Sequence, residues 1–341
     1  MHMDQEALTA KLTKAFAARA DLFDQQHEAA FRLFNGFYEG CPDLAIDLYA
    51  RTLVFHNYAD PPEDGIPLVD AARLFLRSSL PWARIAIIKT RNSSNLAERR
   101  GLVIERETPD RKIREHGVWY ALDLTMNRDA SLYLDTRELR KWAIDNLRGK
   151  TVLNTFAYTG SLGVAAMGGG ARRVVHLDLN RSFLNVAKMS YTLNGFPIHK
   201  VDFISGDFFP GMARLKRSGE LFDCVFLDPP FFSTTGKGTV DLVAEGKRLI
   251  NKVRPLVADG GWLVAVNNAL YLSGREYLSM LEELCADGYL RLESLIPVPE
   301  DFTGYPETRT GTFVTDPAPF NHPTKIAILR VRRKGKRGGR Q

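Results

Sequence analysis

From about Thr136 onward, segments with strand-like patterns alternate with segments of helical periodicity. A helix is predicted from about residue 136 to 147, and short apolar runs follow it at intervals along the chain. Alternation of this kind is typical of parallel strands connected by helices that cover both faces of the sheet. The sequence therefore predicts an α/β domain with a mostly parallel seven-stranded sheet, whose strands are expected at 151–156, 173–178, 200–204, 222–228, 261–267, 290–297 and 324–332.

The first 125 residues have a different pattern. Residues 4–38 show helical spacing, with apolar residues at 8, 12 and 16 on a first helix and at 30, 33 and 37 on a second. From about residue 44 to 124, short β-type runs are interrupted by one helical stretch near 67–80. We therefore expect a helical segment at 1–31, a smaller α+β domain with an antiparallel sheet at 32–125, the α/β domain at 126–332 and a basic tail at 333–341.

Composition narrows the functional classes. No stretch reaches the ~18 consecutive apolar residues of a membrane-spanning helix, and the first residues lack the apolar core of a signal peptide, so we expect a cytoplasmic protein without membrane association. The 3 cysteines form no C-x-x-C motif and the histidines stand singly, so no metal site is expected. A net charge of +6 is compatible with a polyanionic partner, and the basic tail either attracts phosphates or only aids solubility.

The first predicted strand runs into a turn of small residues. Gly160 and Gly163 lie in this turn, at the start of the next helix. Glycine at such a turn lets a ligand approach the backbone, where the amides of the helix N-terminus point outward. The dinucleotide fingerprint requires three glycines as G-x-G-x-x-G, which this turn lacks, so a nicotinamide cofactor is disfavoured.

Two acidic residues follow the next two predicted strands. Asp178 ends the second strand, at the position where an α/β sheet places a carboxylate that accepts both hydroxyls of an adenosine ribose. The alternative is that Asp178 only caps the following helix. Asp207 and a neighbouring aromatic residue follow the third strand and suit the amino group and ring face of an adenine.

The fourth predicted strand ends in Asp228-Pro229-Pro230-Phe231. A double proline cannot continue a central strand, because it supplies no amide hydrogen to the ladder, so the chain must turn out of the sheet. An acid, rigid carbonyls and an aromatic side chain together form a slot for a flat polar ring, whose edge is hydrogen-bonded and whose face is stacked. A purely structural turn is the alternative.

These motifs carry a resemblance. Asp-Pro-Pro-Phe after the fourth strand and Phe-x-Tyr-Thr-Gly after the first resemble class I S-adenosylmethionine-dependent methyltransferases of Rossmann-like fold that act on nucleobases. With Tyr133-Leu-Asp-Thr-Arg137 and Leu193-Asn-Gly195, they are similar to the bacterial 23S rRNA large-subunit methyltransferases. The resemblance implies S-adenosylmethionine as cofactor, a target base near Pro229, Pro230 and Phe231, and cofactor contacts from Asp135, Arg137, Phe156, Tyr158, Thr159, Gly160, Asp178, Asp207 and Asp228.

The chain departs from that family in two places. The family's cytosine C5 enzymes carry an N-terminal PUA domain, in whose place we expect only a short helical segment. They also carry a cysteine after the fifth strand, since C5 becomes nucleophilic only when a thiolate has added to the ring. This chain has Val266-Asn267-Asn268-Ala269-Leu270 there, and Cys224 is expected in the core, so the C5 reaction is disfavoured.

The Asn267-Asn268 pair resembles the family's guanine N7 methyltransferase domain. Guanine N7 has an available lone pair and loses no proton, so catalysis would rest on positioning the ring. We therefore expect Asp228, Pro229, Phe231 and Asn267 to act at the target base. Because Asp228 could equally accept a hydrogen bond from an exocyclic amine, guanine N2 and adenine N6 stay open.

The partner implied by the resemblance is RNA, either 23S rRNA or a large-subunit precursor, and the α+β domain at 32–125 is expected to bind it. No metal is expected, and a homodimer is left open. Competing interpretations are a small-molecule or protein methyltransferase on the same fold, and a non-catalytic RNA-binding factor. The polar loop at 299–311 is a candidate lid over the substrate, with Phe302, Tyr305 or Arg309 contributing, or else an ordinary surface loop.

Overall fold

The computed structural model describes residues 5–105, 107–311, 316 and 320–333. The chain divides into two compact units, of which the first comprises residues 1–136 and 299–313 and the second residues 137–298 and 314–341. Residues 126–136 and 299–313, which the sequence analysis places in the α/β domain, thus belong to the first unit. Beyond Arg333, the basic tail expected at 333–341 lies outside the described residues.

The first unit is built on a five-stranded sheet of order β1-β2-β3-β4-β5. Strands β3 and β4 pair in parallel and the other neighbours pair antiparallel. A separate antiparallel hairpin, β6 and β7, follows. The elements are α1 (Gln5–Ala18), β1 (Ala30–Asn35), α2 (Gly36–Glu39), β2 (Leu44–Tyr49), β3 (Thr52–Asn57), α3 (Ile66–Ser79), β4 (Ile85–Thr90), α4 (Leu96–Arg100), β5 (Leu102–Val103), β6 (Lys112–Glu115) and β7 (Val118–Ala121).

Two expectations for this unit are wrong. The second helix expected near residues 30–37 is largely strand β1, because Phe31 and Phe34 are buried against β2 and against α1 and α3 rather than along a helix face. The sheet is also not purely antiparallel. Helix α3 carries the chain back across the sheet between β3 and β4, and a helical crossover of this kind makes its two strands parallel.

The second unit has a seven-stranded sheet of order β10-β9-β8-β11-β14-β16-β15. The first five strands are parallel, and β16 pairs antiparallel with both β14 and β15. The predicted α/β fold, with its mostly parallel sheet, is therefore confirmed. The strands are β8 (Thr151–Thr155), β9 (Arg173–Asp178), β10 (Phe203–Ser205), β11 (Phe222–Leu227), β14 (Val257–Asn267), β15 (Leu290–Ile296) and β16 (Lys325–Val331).

Helices and a hairpin connect these strands. A hairpin of β12 (Phe232–Thr235) and β13 (Gly238–Asp241), which was not predicted from the sequence, follows the double proline. A last short helix, α11 (Glu300–Thr303), belongs to the first unit. The helices of the second unit are α5 (Arg137–Asn146), α6 (Ser161–Gly168), α7 (Arg181–Leu193), α8 (Phe208–Ser218), α9 (Gly246–Val253) and α10 (Gly274–Cys285).

The strand order reverses at β8, since the chain runs outward through β9 and β10 and then returns to β11 on the other side of β8. Ligands of open α/β sheets bind in the crevice beyond the carboxyl ends of the strands at such a reversal. The turns after β8, β9, β10, β11 and β14 are therefore where a site is expected. Among the described residues, no helix is both long and apolar enough to cross a membrane.

Gly169, just after α6, sets how closely this helix approaches α5. A Cβ atom added at Gly169 would lie 2.2 Å from the carbonyl oxygen of Ile144 and 2.7 Å from its Cα, both backbone atoms. Alanine normally favours a helix over glycine by about 1 kcal/mol, but here the clash decides the sign. We predict that Gly169→Ala lowers the free energy of unfolding by about 1–3 kcal/mol.

Thermal unfolding followed by circular dichroism measures this change. Gly236→Ala is the matched control, because an added Cβ there meets nothing within 4 Å. A Gly169→Ala protein as stable as the control would contradict the packing described for α5 and α6.

Candidate cofactor and target-base site

The turn after β8 has an unusual backbone. Phe156 and Tyr158 adopt positive φ values of 52° and 50°, and Gly160 follows at 80°. Side chains with a Cβ rarely occupy this region, and such strain persists only where the surroundings hold it and often marks a functional site. The neighbouring strand helps to hold this turn: the amide of Ala157 donates a hydrogen bond to the carbonyl of Leu177 in β9 over 2.9 Å.

Asp178 at the end of β9 provides a second restraint. Its carboxylate accepts hydrogen bonds from the amides of Tyr158 and Asn180, both at 2.8 Å. Burial raises the pKa of Asp178, and these two hydrogen bonds act in the opposite direction. Asn180 caps helix α7, since its side chain accepts from the amide of Ser182. The alternative interpretation of Asp178 as the helix cap is therefore wrong.

Gly160 and Gly163 let α6 start close to its neighbours. A Cβ added at Gly160 would lie 2.5 Å from the Cβ of Ala187, and one at Gly163 would lie 2.3 Å from Cε1 of His176. His176 is fully buried, its ring bonds the Tyr191 hydroxyl at 3.0 Å, and burial lowers its pKa to about 3. It is thus a neutral packing residue under the turn.

Asp207, after β10, caps helix α8 by accepting from the amide of Phe209 at 2.9 Å. Its second carboxylate oxygen accepts from the hydroxyl of Thr235 in β12. Phe208 stacks on Phe156, with ring centroids 4.5 Å apart. The structure therefore joins the turn after β8, the end of β10 and the hairpin β12–β13, and Asp207 is part of the hydrogen-bonded frame.

The segment after β11 leaves the sheet as the double proline requires. Asp228 is half-buried and Pro229 is buried, whereas the Phe231 side chain is 42% exposed. The carbonyl of Phe231 accepts a hydrogen bond from the amide of Leu242 at 3.1 Å, so the segment is closed by the hairpin. The structure thus places a half-buried acid at the start and an exposed aromatic side chain at the end of a short segment that is hydrogen-bonded to the hairpin.

Asn267, at the end of β14, has a side chain that is buried and engaged at both ends. Its Nδ2 donates to the carbonyl of Leu242 at 3.5 Å, and its Oδ1 accepts from the amide of Ala269 at 2.9 Å. The buried ammonium of Lys325 donates to the carbonyl of Ala269 at 3.0 Å, and burial lowers its pKa to about 8. Lys325 was not predicted as a site residue, because its only signal in the sequence is a cation at the start of an apolar strand.

The remaining predicted cofactor residues lie in two places. Thr159 is buried within the turn after β8. Arg137 opens helix α5, with its Nε 3.8 Å from the carboxylate of Glu138. Asp135 lies in the 3₁₀ turn Leu134–Thr136 of the first unit. A role of these three residues in cofactor binding stays a prediction.

The prediction that Phe302 and Arg309 belong to a substrate lid at 299–311 is wrong, because both side chains are engaged within their own unit. Phe302 is buried beneath the Arg32 guanidinium, 4.3 Å from the ring centroid. Asp301 accepts from the amide of Arg32, and its carbonyl accepts from the buried Arg19, both at 2.9 Å. Arg309 turns back onto the carbonyls of Thr303 and Gly304. Buried charged groups of the first unit anchor this segment.

The cysteines are unsuited to nucleophilic attack. Burial raises the pKa of Cys41 to about 11 and the pKa of Cys224 well above its usual value, and Cys224 lies in the core strand β11. Burial also raises the pKa of Cys285, in helix α10. Within 5–105, 107–311, 316 and 320–333, no three acidic, histidine or cysteine residues form a group that could hold a metal ion.

These features fit an adenosine-containing cofactor. Asp178 is held at the end of β9 with part of its accepting capacity free, since a carboxylate offers about four lone-pair positions and two amides use two of them. In the neighbouring turn, the buried Gly160 has a positive φ of 80° and carries no side chain, which keeps the backbone narrow at this point. A carboxylate and a close backbone turn at this edge are what a ribose and its substituents require.

Comparison with known proteins identifies the family. The sequence model of the S-adenosylmethionine-dependent methyltransferases matches residues 99–299. Ribosomal RNA large subunit methyltransferase I of Aeromonas salmonicida is 32% identical over 84% of this chain and 72% of its own length. A Bacillus subtilis protein named as a candidate ribosomal RNA large subunit methyltransferase is 31% identical over 89% of this chain and 78% of its own.

A solved structure gives the same result for the fold. A candidate methyltransferase crystallised with S-adenosylhomocysteine superposes with a TM-score of 0.82 at 20% identity, over 97% of this chain and 83% of that protein. With the family match and the sheet topology, the expected Rossmann-like class I fold is confirmed. The chain therefore belongs to the S-adenosylmethionine-dependent methyltransferases, and S-adenosylmethionine is its cofactor.

Proposed function

We propose that this enzyme methylates a base of ribosomal RNA, in the 23S rRNA of the large subunit, and that the modified atom is guanine N7. The names of the relatives support the RNA class. The segment Asp228–Phe231 carries the proposal, because a half-buried acid, a buried proline and an exposed aromatic ring follow the strand next to β8. A flat base can be hydrogen-bonded along its edge and stacked on its face by such groups.

The roles of the cofactor residues form part of the proposal. Asp178 accepts hydrogen bonds from the ribose hydroxyls, and the turn of Phe156, Tyr158, Thr159 and Gly160 lies against the cofactor. Asp207 contributes at the adenine through the lone pairs that its two hydrogen bonds leave available. Asp228 is assigned to the boundary between the cofactor and the target base, and Arg137 completes the set within the second unit.

Bound S-adenosylmethionine supplies a methyl group already activated on a sulfonium. The residues of this chain therefore need to align the base and exclude water, and no proton has to leave guanine N7. The high thiol pKa values leave all three cysteines protonated at neutral pH, which disfavours covalent activation of a pyrimidine. Asn267 contributes indirectly, by holding the loop after β14 through Ala269.

The neighbour of Asn267 offers a hydrogen-bond acceptor that a bound base could use. The side-chain oxygen of Asn268 is buried and lacks a hydrogen-bond partner in the described part of the chain. A buried acceptor without a partner is costly, and a donor from a bound ligand would remove that cost. Guanine offers N1–H and N2–H donors on the edge opposite N7, so a contact with Asn268 would be compatible with methylation at N7. The amino group of adenine could satisfy the same acceptor.

A second candidate rests on Asp228. Its half-buried carboxylate, next to the buried Pro229, can accept a hydrogen bond from an exocyclic amine and orient the nitrogen lone pair. Methylation of guanine N2 or adenine N6 would use the same slot. The two candidates differ in the nucleoside that is produced.

The first unit is proposed to bind RNA. On the hairpin β6–β7, the ammonium of Lys112 lies 4.2 Å from the ring centroid of Trp119, and the guanidinium of Arg114 lies 5.6 Å from it. Both cations are exposed. Cations interleaved with an aromatic ring suit phosphates and unpaired bases together.

The product of the reaction tests the proposed function. The protein is incubated with tritiated S-adenosylmethionine and 23S rRNA or large subunits from cells lacking it, and the RNA is digested to nucleosides identified by mass. We expect label in 7-methylguanosine. Label in N2-methylguanosine or N6-methyladenosine would favour the second candidate, and label only in protein or small molecules, or none, would contradict RNA methylation.

Asp178→Asn should weaken binding of S-adenosylmethionine by about 10-fold to 100-fold, because a hydrogen bond to a charged group contributes about 1.5–3 kcal/mol. Isothermal titration calorimetry measures the affinity. Asp223→Asn is the control, since Asp223 holds Thr151 at the opposite, amino edge of the sheet. Equal losses in both variants would mean that Asp178 acts only through stability.

Phe231→Ala should lower kcat/KM for 23S rRNA by about 10-fold, the size of one lost base-stacking contact of about 1–3 kcal/mol, and leave cofactor affinity unchanged. Single-turnover methylation and calorimetry separate the two quantities. Phe231→Tyr, which keeps the ring, should retain activity. Full activity in Phe231→Ala would remove this residue from the target slot.

A further inference from the structure

We infer that Leu270 and Tyr271, in the loop after β14, form a wedge that stacks on the RNA bases beside the target. Their side chains are 69% and 86% exposed. Large apolar side chains that remain adjacent and exposed next to a binding site commonly mark a surface that a partner covers. This inference rests on the proposed function, and it assigns the bases next to the target nucleotide as the part of the RNA that these side chains contact.

The wedge lies between two fixed points. On one side, the peptide groups of buried Ala269 are held by Asn267 and Lys325. On the other side, Ser273 begins α10 with a capping box, in which its side chain and that of Glu276 bond each other's backbone amides. Because both ends of the loop are held, its exposed side chains can enter a stack of nucleobases without ordering a long loop at the moment of binding.

The loop after β14 starts beside the segment Asp228–Phe231, where the target base is proposed to lie. Strand β14 pairs with β11, and Leu227 is in register with Ala265. The chain therefore enters the wedge from the same sheet edge at which Asp228 begins the segment that leaves β11. Phe231 and Phe232 are exposed on that segment. Aromatic and apolar side chains thus follow two neighbouring strands at the edge where the base is proposed to lie.

Exposed cations favour RNA as the occupant. Arg275 lies in the first turn of α10, four residues after Tyr271, and Lys237 lies in the turn of the β12–β13 hairpin. Base faces suit the wedge, and phosphates suit these flanking cations, so one nucleic-acid strand satisfies both. A base that leaves a helix vacates a gap in the stack, and an apolar side chain that fills the gap offsets part of the unstacking cost.

The test compares Leu270→Ala/Tyr271→Ala with Val201→Ala. Val201 is 78% exposed but precedes β10 at the opposite, amino edge of the sheet, so its substitution removes exposed apolar surface, although less of it, far from the segment Asp228–Phe231. For each protein, we would measure binding to 23S rRNA, cofactor affinity, and kcat/KM on 23S rRNA and on a single-stranded oligonucleotide that spans the labelled nucleotide.

We expect the double variant to bind 23S rRNA about 10-fold more weakly and to lose about 10-fold in kcat/KM on it, with unchanged cofactor affinity. On the oligonucleotide, where the target is already unstacked, the loss should be smaller, and Tyr271→Phe should behave as the wild type. Binding and turnover like those of Val201→Ala, or an equal loss on both substrates, would contradict the proposal that Leu270 and Tyr271 stack on the RNA.

If the wild-type protein binds but does not methylate 23S rRNA, the proposed function fails. The comparison of RNA binding between the variants would still test the stacking role of Leu270 and Tyr271.

Discussion

The amide of Tyr158 donates a hydrogen bond to the carboxylate of Asp178 over 2.8 Å. This contact joins the turn that follows β8 to the end of the neighbouring strand β9. It helps to hold Phe156 and Tyr158 at φ values that residues with a Cβ rarely adopt. The same carboxylate is the proposed acceptor for the ribose. The acid that stabilises the turn is therefore also the group offered to the cofactor, and the packing of α6 through Gly160 and Gly163 follows from the position of that turn.

The other half of the site depends on a second frame. Asn267 accepts a hydrogen bond from the amide of Ala269, and Lys325 donates one to its carbonyl. Asn267 also contacts the carbonyl of Leu242, where the hairpin after the double proline ends. The segment that follows the double proline and the loop after β14 are thus connected through the buried side chains of Asn267 and Lys325. A rigid frame of this kind suits a reaction in which the activated methyl group comes with the cofactor and the protein mainly aligns the base.

Much of this arrangement could be predicted from the sequence, because alternating patterns and acids at strand ends are local signals. The end of β9 at Asp178 and most strands of the seven-stranded sheet were found in this way, whereas β10 was expected at 200–204 and begins only at Phe203, because residues 200–202 form a 3₁₀ turn. What failed depends on distant partners. The residues of β1 have a helix-like spacing but pair with β2, and β3 and β4 are parallel only because α3 crosses the sheet. Lys325 and Ala269 lie far apart in sequence, and nothing local indicates that they meet.

We propose that the carboxyl edge of the seven-stranded sheet binds S-adenosylmethionine and presents its methyl group to the segment after β11. A crystal structure of the protein with S-adenosylmethionine would show whether this is so. We expect the ribose hydroxyls within hydrogen-bond distance of the Asp178 carboxylate and the sulfonium methyl directed toward Asp228–Phe231. A cofactor bound at another edge, or with its methyl group directed away from that segment, would contradict it.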